Sequence, residues 1–290
     1  MAEITASMVK ELRERTAAGM MDCKNALKEC DGSVEAAIDW LRQKGLSKAA
    51  KKAGRATSEG AVASLIAPDN SKAAIVEVMC ETDFVSRGEK FQAFAKSVGQ
   101  VVFDKAPADT NALLALLGDE VNNQIATLGE NISIGRLAVF SVAGNGTVGC
   151  YIHANGKIGV LVELACGKAE TSSSPKLQEL ARNIAMQVAA SSPAAVDSDC
   201  LDPTIVERER EVFRQKTLEE GKPANIVDKI VDGRIRKFYE EVCLVNQAYI
   251  RDDSKSIQDL LAEEGKALGD ALSVKRFVRL QLGEVASEEE

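Results

Sequence analysis

Aromatic residues and histidine are scarce in this sequence. Only 4% of the 290 residues are aromatic, and His153 is the single histidine. Acid/base enzymes and zinc sites often depend on histidine, and the seven cysteines form no C-x-x-C pair that could replace it. We therefore expect no metal site, and reduced thiols that serve as small core residues.

Long apolar runs and an excess of positive charge are also missing. No stretch approaches the roughly 20 apolar residues of a membrane span, and the opening MAEITASMVK lacks the features of a signal or transit peptide. The formal net charge of −8 argues against general nucleic-acid binding. These absences predict a cytoplasmic protein with no membrane partner and no direct nucleic-acid partner.

The N-terminal part, residues 1–55, is predicted to be a small helical domain with a basic linker. Ser33 is expected to cap its last helix and Gly45 to end it. The three expected helices are residues 8–15, 20–29 and 34–44. The segment that follows is interpreted either as a solvated linker or as a patch that meets an acidic partner. It carries four basic residues, Lys48, Lys51, Lys52 and Arg55.

An internal repeat is the most informative feature of the chain. Residues 60–102 align without a gap on residues 146–188, and the identical pairs include Glu77 with Glu163. Each copy has the pattern of a strand, a turn, a second strand, a loop and a helix. The body is therefore predicted to be α+β, with two tandem repeated subdomains and antiparallel sheets, at residues 56–145 and at residues 146–195 with 245–284.

The segment between the two copies is expected to complete the first subdomain. Its pattern predicts a helix at residues 112–126, a bend at Gly129 and a third strand from about Ile134.

Residues 196–244 predict an inserted helical hairpin. Asp202 and Pro203 are suited to begin its first helix, and residues 221–223 are suited to the turn. Because its apolar stripe is narrow, the hairpin is expected to pack either on itself or on another chain. A short helix and a final strand then complete the second subdomain, ahead of an acidic tail at residues 285–290.

Two patterns that suggest enzymatic chemistry are weak. GNGTVG, residues 144–149, matches a dinucleotide-binding fingerprint, but a strand and a hairpin turn follow it where phosphate binding needs a helix. His153 has Ala67 as its counterpart in the first copy, so the scaffold does not require a histidine there. It is interpreted as an exposed turn residue or a partner contact. We therefore expect no organic cofactor and no catalytic residue.

The junction ETDFVSRGEKF, residues 81–91, places an aromatic side chain beside a carboxylate in a chain that has few aromatics. Asp83 and Phe84 align with Ala169 and Glu170 of the second copy, so the fold does not require an aromatic residue there. A capping box of Ser86 and Glu89 is expected to begin the next helix near Arg87. Phe84 is then either a buried loop anchor or a displayed wedge for a partner.

Adjacent Met20 and Met21 in GMM raise a similar question. One of two neighbouring methionines at a helix start is expected in the core and the other at the surface, where its soft side chain suits protein recognition.

Four segments together resemble the bacterial elongation factor Ts family, the nucleotide-exchange factors of the translational GTPase elongation factor Tu. They are MAEITASMVKELRERTAAGMMDCKNAL, CETDFVSRGEKFQAFA, GENISIGR and YIHANGKIGVLVEL. The resemblance runs from residue 1 to about residue 283. It implies an N-terminal domain similar to ubiquitin-associated domains, a core of two α+β subdomains and a coiled-coil hairpin used for dimerisation.

The resemblance also implies a site and a mechanism. In the family the T-D-F-V loop enters the GTPase domain, where the Phe acts as a wedge near the phosphate site and the Asp disturbs the Mg²⁺ site. Carried onto this chain, the loop is Thr82, Asp83, Phe84 and Val85. The further contacts would be Arg13, Met20, Met21, Lys24, Lys52, Leu128, Gly129, His153, Ile250 and Arg251.

One feature of the family has no counterpart in this sequence. The family often carries a further C-terminal helix against the GTPase, but here the sequence ends at GEVASEEE, so that contact is expected to be absent.

The alternative function is a scaffold or chaperone-like adaptor that binds the GTPase whether or not nucleotide is bound. A small-molecule enzyme is disfavoured because no paired nucleophile and base is visible.

Overall fold

The computed structural model describes residues 4–16, 18–153 and 155–284, without the side chain of Lys48. The acidic tail predicted at residues 285–290 lies outside the described residues. Helices and antiparallel strands are both present, which confirms the predicted α+β class. The division into separate domains stays a prediction.

The N-terminal module consists of three helices, α1 (Ala6–Thr16), α2 (Met20–Glu29) and α3 (Val34–Lys52). They pack around a small core that includes Leu12 and Leu27. Ser33 caps α3 as predicted, because its side chain accepts a hydrogen bond from the Ala36 N–H at 3.3 Å.

The prediction that Gly45 ends the third helix is wrong. The helix continues to Lys52, so the basic residues Lys51 and Lys52 lie on its last turn. Gly45 is buried, and a β-carbon built on it would lie 3.5 Å from the β-carbon of Ala126. Gly45 therefore lies inside α3, where the helix packs beside Ala126 of another helix.

The first α+β unit contains a three-stranded antiparallel sheet with its helices packed on one face. The strands have the order β1-β2-β3, with β2 in the centre. The elements are β1 (Glu59–Ile66), β2 (Lys72–Cys80), α4 (Asp83–Ser86), α5 (Glu89–Lys105), α6 (Thr110–Leu117), α7 (Glu120–Leu128) and β3 (Ile132–Ser141).

The second unit repeats this plan, with the order β4-β5-β8. Its insertion comprises two long helices and a small two-stranded hairpin that the sequence did not predict. The elements are β4 (Gly146–Ile152), β5 (Ile158–Cys166), α8 (Ala169–Ser172), α9 (Pro175–Ser191), α10 (Pro203–Glu219), α11 (Ala224–Val242), β6 (Ala248–Tyr249), β7 (Asp252–Ser256), α12 (Ile257–Leu268) and β8 (Leu272–Gln281).

The repeat extends to details of the interior. Each central strand carries a buried glutamate that pairs with an arginine of the third strand: Glu77 with Arg136 at 2.5 Å, and Glu163 with Arg276 at 2.6 Å. A separate apolar cluster joins the two sheets and is formed by Val62, Ala73, Ile75, Phe140, Val148, Leu161, Leu280 and Leu282. The two units are therefore packed against each other.

Two other helix predictions are wrong. The helix expected at residues 112–126 is divided into α6 and α7 at Gly118, whose φ of 57° and ψ of −125° suit glycine alone. The capping box expected from Ser86 and Glu89 is absent: α5 begins after Gly88 without a side-chain cap, and the Ser86 hydroxyl donates to the Asp83 carbonyl at 3.0 Å.

The inserted helices α10 and α11 pack on each other as an antiparallel hairpin. The side chain of Asp202 caps α10 by accepting from the Thr204 N–H at 2.8 Å, and Pro203 is its first residue, as predicted. Val227, Val231 and Ile235 form the hairpin interior. Across the described part of the chain, no helix combines the length and apolar character needed to cross a membrane.

Candidate partner-binding surface

Phe84 lies on a single helical turn at the end of the central strand β2. Its side chain is 86% exposed, so it is not a buried loop anchor. Thr82 caps the turn, and its hydroxyl oxygen accepts from the Val85 N–H at 3.4 Å. Val85 packs against the core of the first unit and Ser86 is buried. The inward packing of these two residues directs Phe84 to solvent.

Asp83 is half-buried beside Phe84 and forms an ion pair with Arg87 at 3.1 Å. The pair lies at a cleft of about 330 Å³ between the two α+β units. Because the Arg87 side chain is 81% exposed, this ion pair is of the weak kind that water screens. Asp83 is therefore free to exchange Arg87 for another cation.

The carboxylate of Glu130 holds the backbone just before the turn. Its Oε2 accepts from the N–H groups of Glu81 at 3.1 Å and Thr82 at 3.0 Å, and its Oε1 accepts from the Thr82 hydroxyl at 2.6 Å. The Glu81 carboxylate in return accepts from the Asn131 N–H at 2.6 Å. This bond, with help from the Arg55 guanidinium, holds the pKa of Glu81 below its usual range.

Cys80 closes the same junction from the core side. Its thiol donates to the Thr82 carbonyl at 3.3 Å. Burial, reinforced by the charge of Glu130, raises the pKa of Cys80 to about 12, so the thiol stays protonated at neutral pH and remains a donor. The side chain therefore serves as a structural contact between the core and the turn.

The other predicted contacts fall into separate groups, of which the first lies on the N-terminal module. Arg13 of α1 and Lys24 of α2 are exposed. Met20 and Met21 are 59% and 66% exposed, so the expectation that one of them lies in the core is wrong. The reason is that Cys23, Ala26 and Leu27 form the buried face of α2.

The second group lies at the end of α7, where α3 meets the first α+β unit. The Lys52 ammonium donates to the Gly129 carbonyl, and Gly129 has the left-handed φ of 81° that ends α7. Leu128 is half-buried and packs in the core of that unit. Since Glu130 is the next residue, this group is continuous with the anchor of the 82–85 turn.

The third group lies on the second α+β unit. His153 is exposed after β4, and its Nδ1 is 3.4 Å from the Tyr151 hydroxyl. Ile250 is 48% exposed at the tip of the β6-β7 hairpin. The next residue, Arg251, donates to the Asn183 side-chain oxygen at 3.0 Å. Among the described contacts, none joins this group or the methionines to the 82–85 turn.

Sequence reasoning missed the residues that hold the turn, above all Glu130. It lies in GENISIGR, which contributed only to the family resemblance. The aligned copies, residues 60–102 and 146–188, do not reach it. The structure shows an equivalent residue in the second unit, Asp270, which lies ahead of the third strand of that unit. Its carboxylate accepts from the N–H groups of Gly167 at 3.0 Å and Lys168 at 2.9 Å.

Comparison with known proteins settles the family. The family model described as elongation factor TS matches residues 81–284, which is most of the chain. The chain belongs to the elongation factor Ts family.

Relatives named elongation factor Ts match over nearly their whole length. That of Desulfovibrio desulfuricans is 60% identical over 283 residues, which cover 97% of this chain and 99% of the relative. That of Nitratidesulfovibrio vulgaris strain DP4 is 57% identical, with 99% and 98% covered. That of Lawsonia intracellularis is 55% identical, with 97% and 99% covered. Membership of the elongation factor Ts family places the chain in translation elongation.

The described residues of the chain contain no group of three or more His, Cys, Asp or Glu side chains placed to hold a metal. Charged and exposed apolar side chains dominate its candidate surface. Such a surface fits contact with another protein, because aromatic and methionine side chains are enriched at protein–protein interfaces.

Proposed function

We propose that this protein is a guanine nucleotide exchange factor for elongation factor Tu, and that it acts by inserting Asp83 and Phe84 near the Mg²⁺ and phosphate site of the GTPase. The observation that carries the proposal is the 86% exposure of Phe84 on a turn whose neighbours are fixed in the core. The family name supports the role in elongation.

The free energy for exchange comes from binding. Burying an exposed Phe side chain is worth about 1.5–3 kcal/mol, which corresponds to roughly tenfold to hundredfold in an equilibrium or rate. If Phe84 is buried only in the nucleotide-free complex, the factor weakens nucleotide binding by the same ratio by which nucleotide weakens its own. GTP then refills the site and displaces the factor.

Asp83 supplies the second part of the proposal. GDP is held by backbone N–H groups, a lysine and Mg²⁺. A carboxylate brought to that site competes with the ligands of Mg²⁺ for the cation. Asp83 can do this because its present partner, Arg87, is exposed. No covalent step is needed, so the protein is not an enzyme in the covalent sense.

The remaining contacts would provide affinity for the nucleotide-free GTPase. We assign them to Arg13, Met20, Met21, Lys24, Lys52, Leu128, Gly129, His153, Ile250 and Arg251. Leu128 and Gly129 would contribute mainly through the shape of the bend, because the Leu128 side chain is half-buried. Action in translation implies a cytoplasmic location, and the hairpin of α10 and α11 is proposed to mediate self-association.

Stopped-flow release of fluorescent GDP from purified elongation factor Tu tests this function. We expect the wild-type protein to accelerate release, and Phe84→Ala to lower the maximal rate about tenfold to hundredfold because the buried area is lost. Asp83→Ala should also lower the maximum. Leu116→Ala is the matched control, since Leu116 is an apolar side chain with 51% exposure on α6.

Three results would count against the proposal. Unchanged release with Phe84→Ala would exclude the wedge. If a variant reached the wild-type maximal rate of GDP release at a higher concentration, the turn would contribute only affinity for the GTPase. Binding of equal strength to the GDP-loaded and nucleotide-free GTPase would favour the scaffold alternative.

A further inference from the structure

We propose that Glu130 is the positioning residue of the 82–85 turn, so that exchange depends on a carboxylate that does not itself touch the GTPase. The inference rests on the proposed function. It starts from the three hydrogen bonds that the Glu130 carboxylate accepts from the backbone of Glu81 and from the backbone and hydroxyl of Thr82.

These bonds act at the position that controls the orientation of Phe84. β2 ends at Cys80 and the helical turn begins at Asp83, so Glu81 and Thr82 are the whole link between the sheet and the wedge. Hydrogen bonds to a carboxylate are about twice as strong as neutral ones. The Thr82 hydroxyl also accepts from the Val85 N–H, so Glu130 orients the group that caps the turn.

A reciprocal bond makes the arrangement rigid. Glu130 accepts from the Glu81 N–H, while the Glu81 carboxylate accepts from the N–H of Asn131, the residue that follows Glu130. Asn131 is buried, and its side-chain amide donates to the Arg55 carbonyl at 2.8 Å. Segments 81–82 and 130–131 are therefore fixed to each other and to the segment that leaves α3.

The second unit contains the same device without the wedge. Asp270 accepts from the N–H groups of Gly167 and Lys168, yet the turn that follows presents Ala169 and Glu170. The carboxylate anchor thus belongs to the repeated scaffold, and only the first copy uses it to present an aromatic side chain. The chain itself therefore provides a matched control.

The test compares Glu130→Ala, Asp270→Ala and Phe84→Ala in the GDP-release assay with the full-length chain. We expect Glu130→Ala to lower the maximal rate about tenfold, because charge-assisted bonds hold the wedge, and to shift the half-saturating concentration less than about twofold, because the other contacts are kept. Glu130→Gln keeps one carbonyl acceptor and should give an intermediate rate. Asp270→Ala should stay within about twofold of wild type.

A double variant separates positioning from a general loss of structure. If Glu130 acts through Phe84, adding Glu130→Ala to Phe84→Ala should cause no further loss. Multiplicative losses would overturn the inference, as would equal slowing by Glu130→Ala and Asp270→Ala. Slow release with Phe84→Ala but wild-type release with both Glu130 variants would overturn the positioning role alone. Wild-type release with Phe84→Ala would overturn the proposed function and this inference together.

If Glu130→Ala does not fold, as judged by its circular dichroism melt, Glu130→Gln decides the question alone. A Gln variant with the wild-type melt and a lowered maximal rate supports the positioning role. A Gln variant with the wild-type maximum overturns it.

Discussion

At the scale of single residues, the clearest energetic dependence is the buried pair of Glu77 and Arg136. The Glu77 side chain is 5% exposed, and its carboxylate receives the Arg136 guanidinium and the Arg136 N–H. The hydrogen bonds to the Glu77 carboxylate raise the pKa of Arg136 above its ordinary value. We expect Arg136→Met to destabilise the protein by about 3 kcal/mol, because an unpaired buried charge remains.

Chemical denaturation followed by circular dichroism measures this loss. The control is Lys10→Met, which removes an ion pair to Glu14 whose two side chains are 77% and 68% exposed. Such a pair is worth about 0–1 kcal/mol. Equal losses in the two variants would show that burial of Glu77 does not decide the stability of the first unit.

Only part of the candidate site could be predicted from the sequence. Phe84 could be singled out because an aromatic beside a carboxylate stood out where the two copies differ. Glu130 could not, because its partners Glu81 and Thr82 lie about fifty positions earlier, and no local period connects them. The exposure of both Met20 and Met21 was decided by which side of α2 meets the core.

At the scale of elements, glycine limits what the sequence can predict. Gly45 and Gly118 look alike in the sequence, but Gly45 lies within a helix that continues to Lys52 and Gly118 ends one. Gly45 packs beside Ala126, which is remote in the chain, whereas Gly118 has backbone angles that no helix contains. By contrast, the repeated strands and the start of α10 were predictable, because period-2 patterns and Asp-Pro caps are local signals.

Gly118 therefore gives a prediction about the division between α6 and α7. Gly118→Ala should cost about 1–3 kcal/mol, because its φ of 57° and ψ of −125° are strained for any side chain. Gly54→Ala is the control, since a β-carbon there meets nothing within 4 Å and its φ is not in the left-handed region. Its effect should be near zero or slightly stabilising. Thermal unfolding of both variants compares them, and equal melting temperatures would contradict the strain argument.

In the molecule as a whole, the parts are connected along residues 119–131. Lys52 reaches Gly129 from α3, Arg42 pairs with Asp119 at the start of α7, and Glu130 holds the 82–85 turn. The N-terminal module and the turn therefore share one anchoring segment. A partner that contacts Met20 and Phe84 together meets two surfaces whose separation the fold restrains.

The inserted hairpin presents exposed apolar side chains that fit contact with a second chain. Ile205 and Val212 are 48% and 50% exposed on α10, and residues seven apart lie on the same side of a helix. The hairpin interior is already filled by Val227, Val231 and Ile235, so these two side chains are available to a second hairpin.

We expect the wild-type chain to dimerise and the double variant Ile205→Lys, Val212→Lys to sediment as a 31.0 kDa monomer. Leu114→Lys with Leu116→Lys, which changes exposed apolar residues of α6, should leave the dimer intact. Sedimentation equilibrium distinguishes the cases: a wild-type monomer at micromolar concentration, or a dimer that survives both α10 changes, would show that this face of the hairpin does not join two chains.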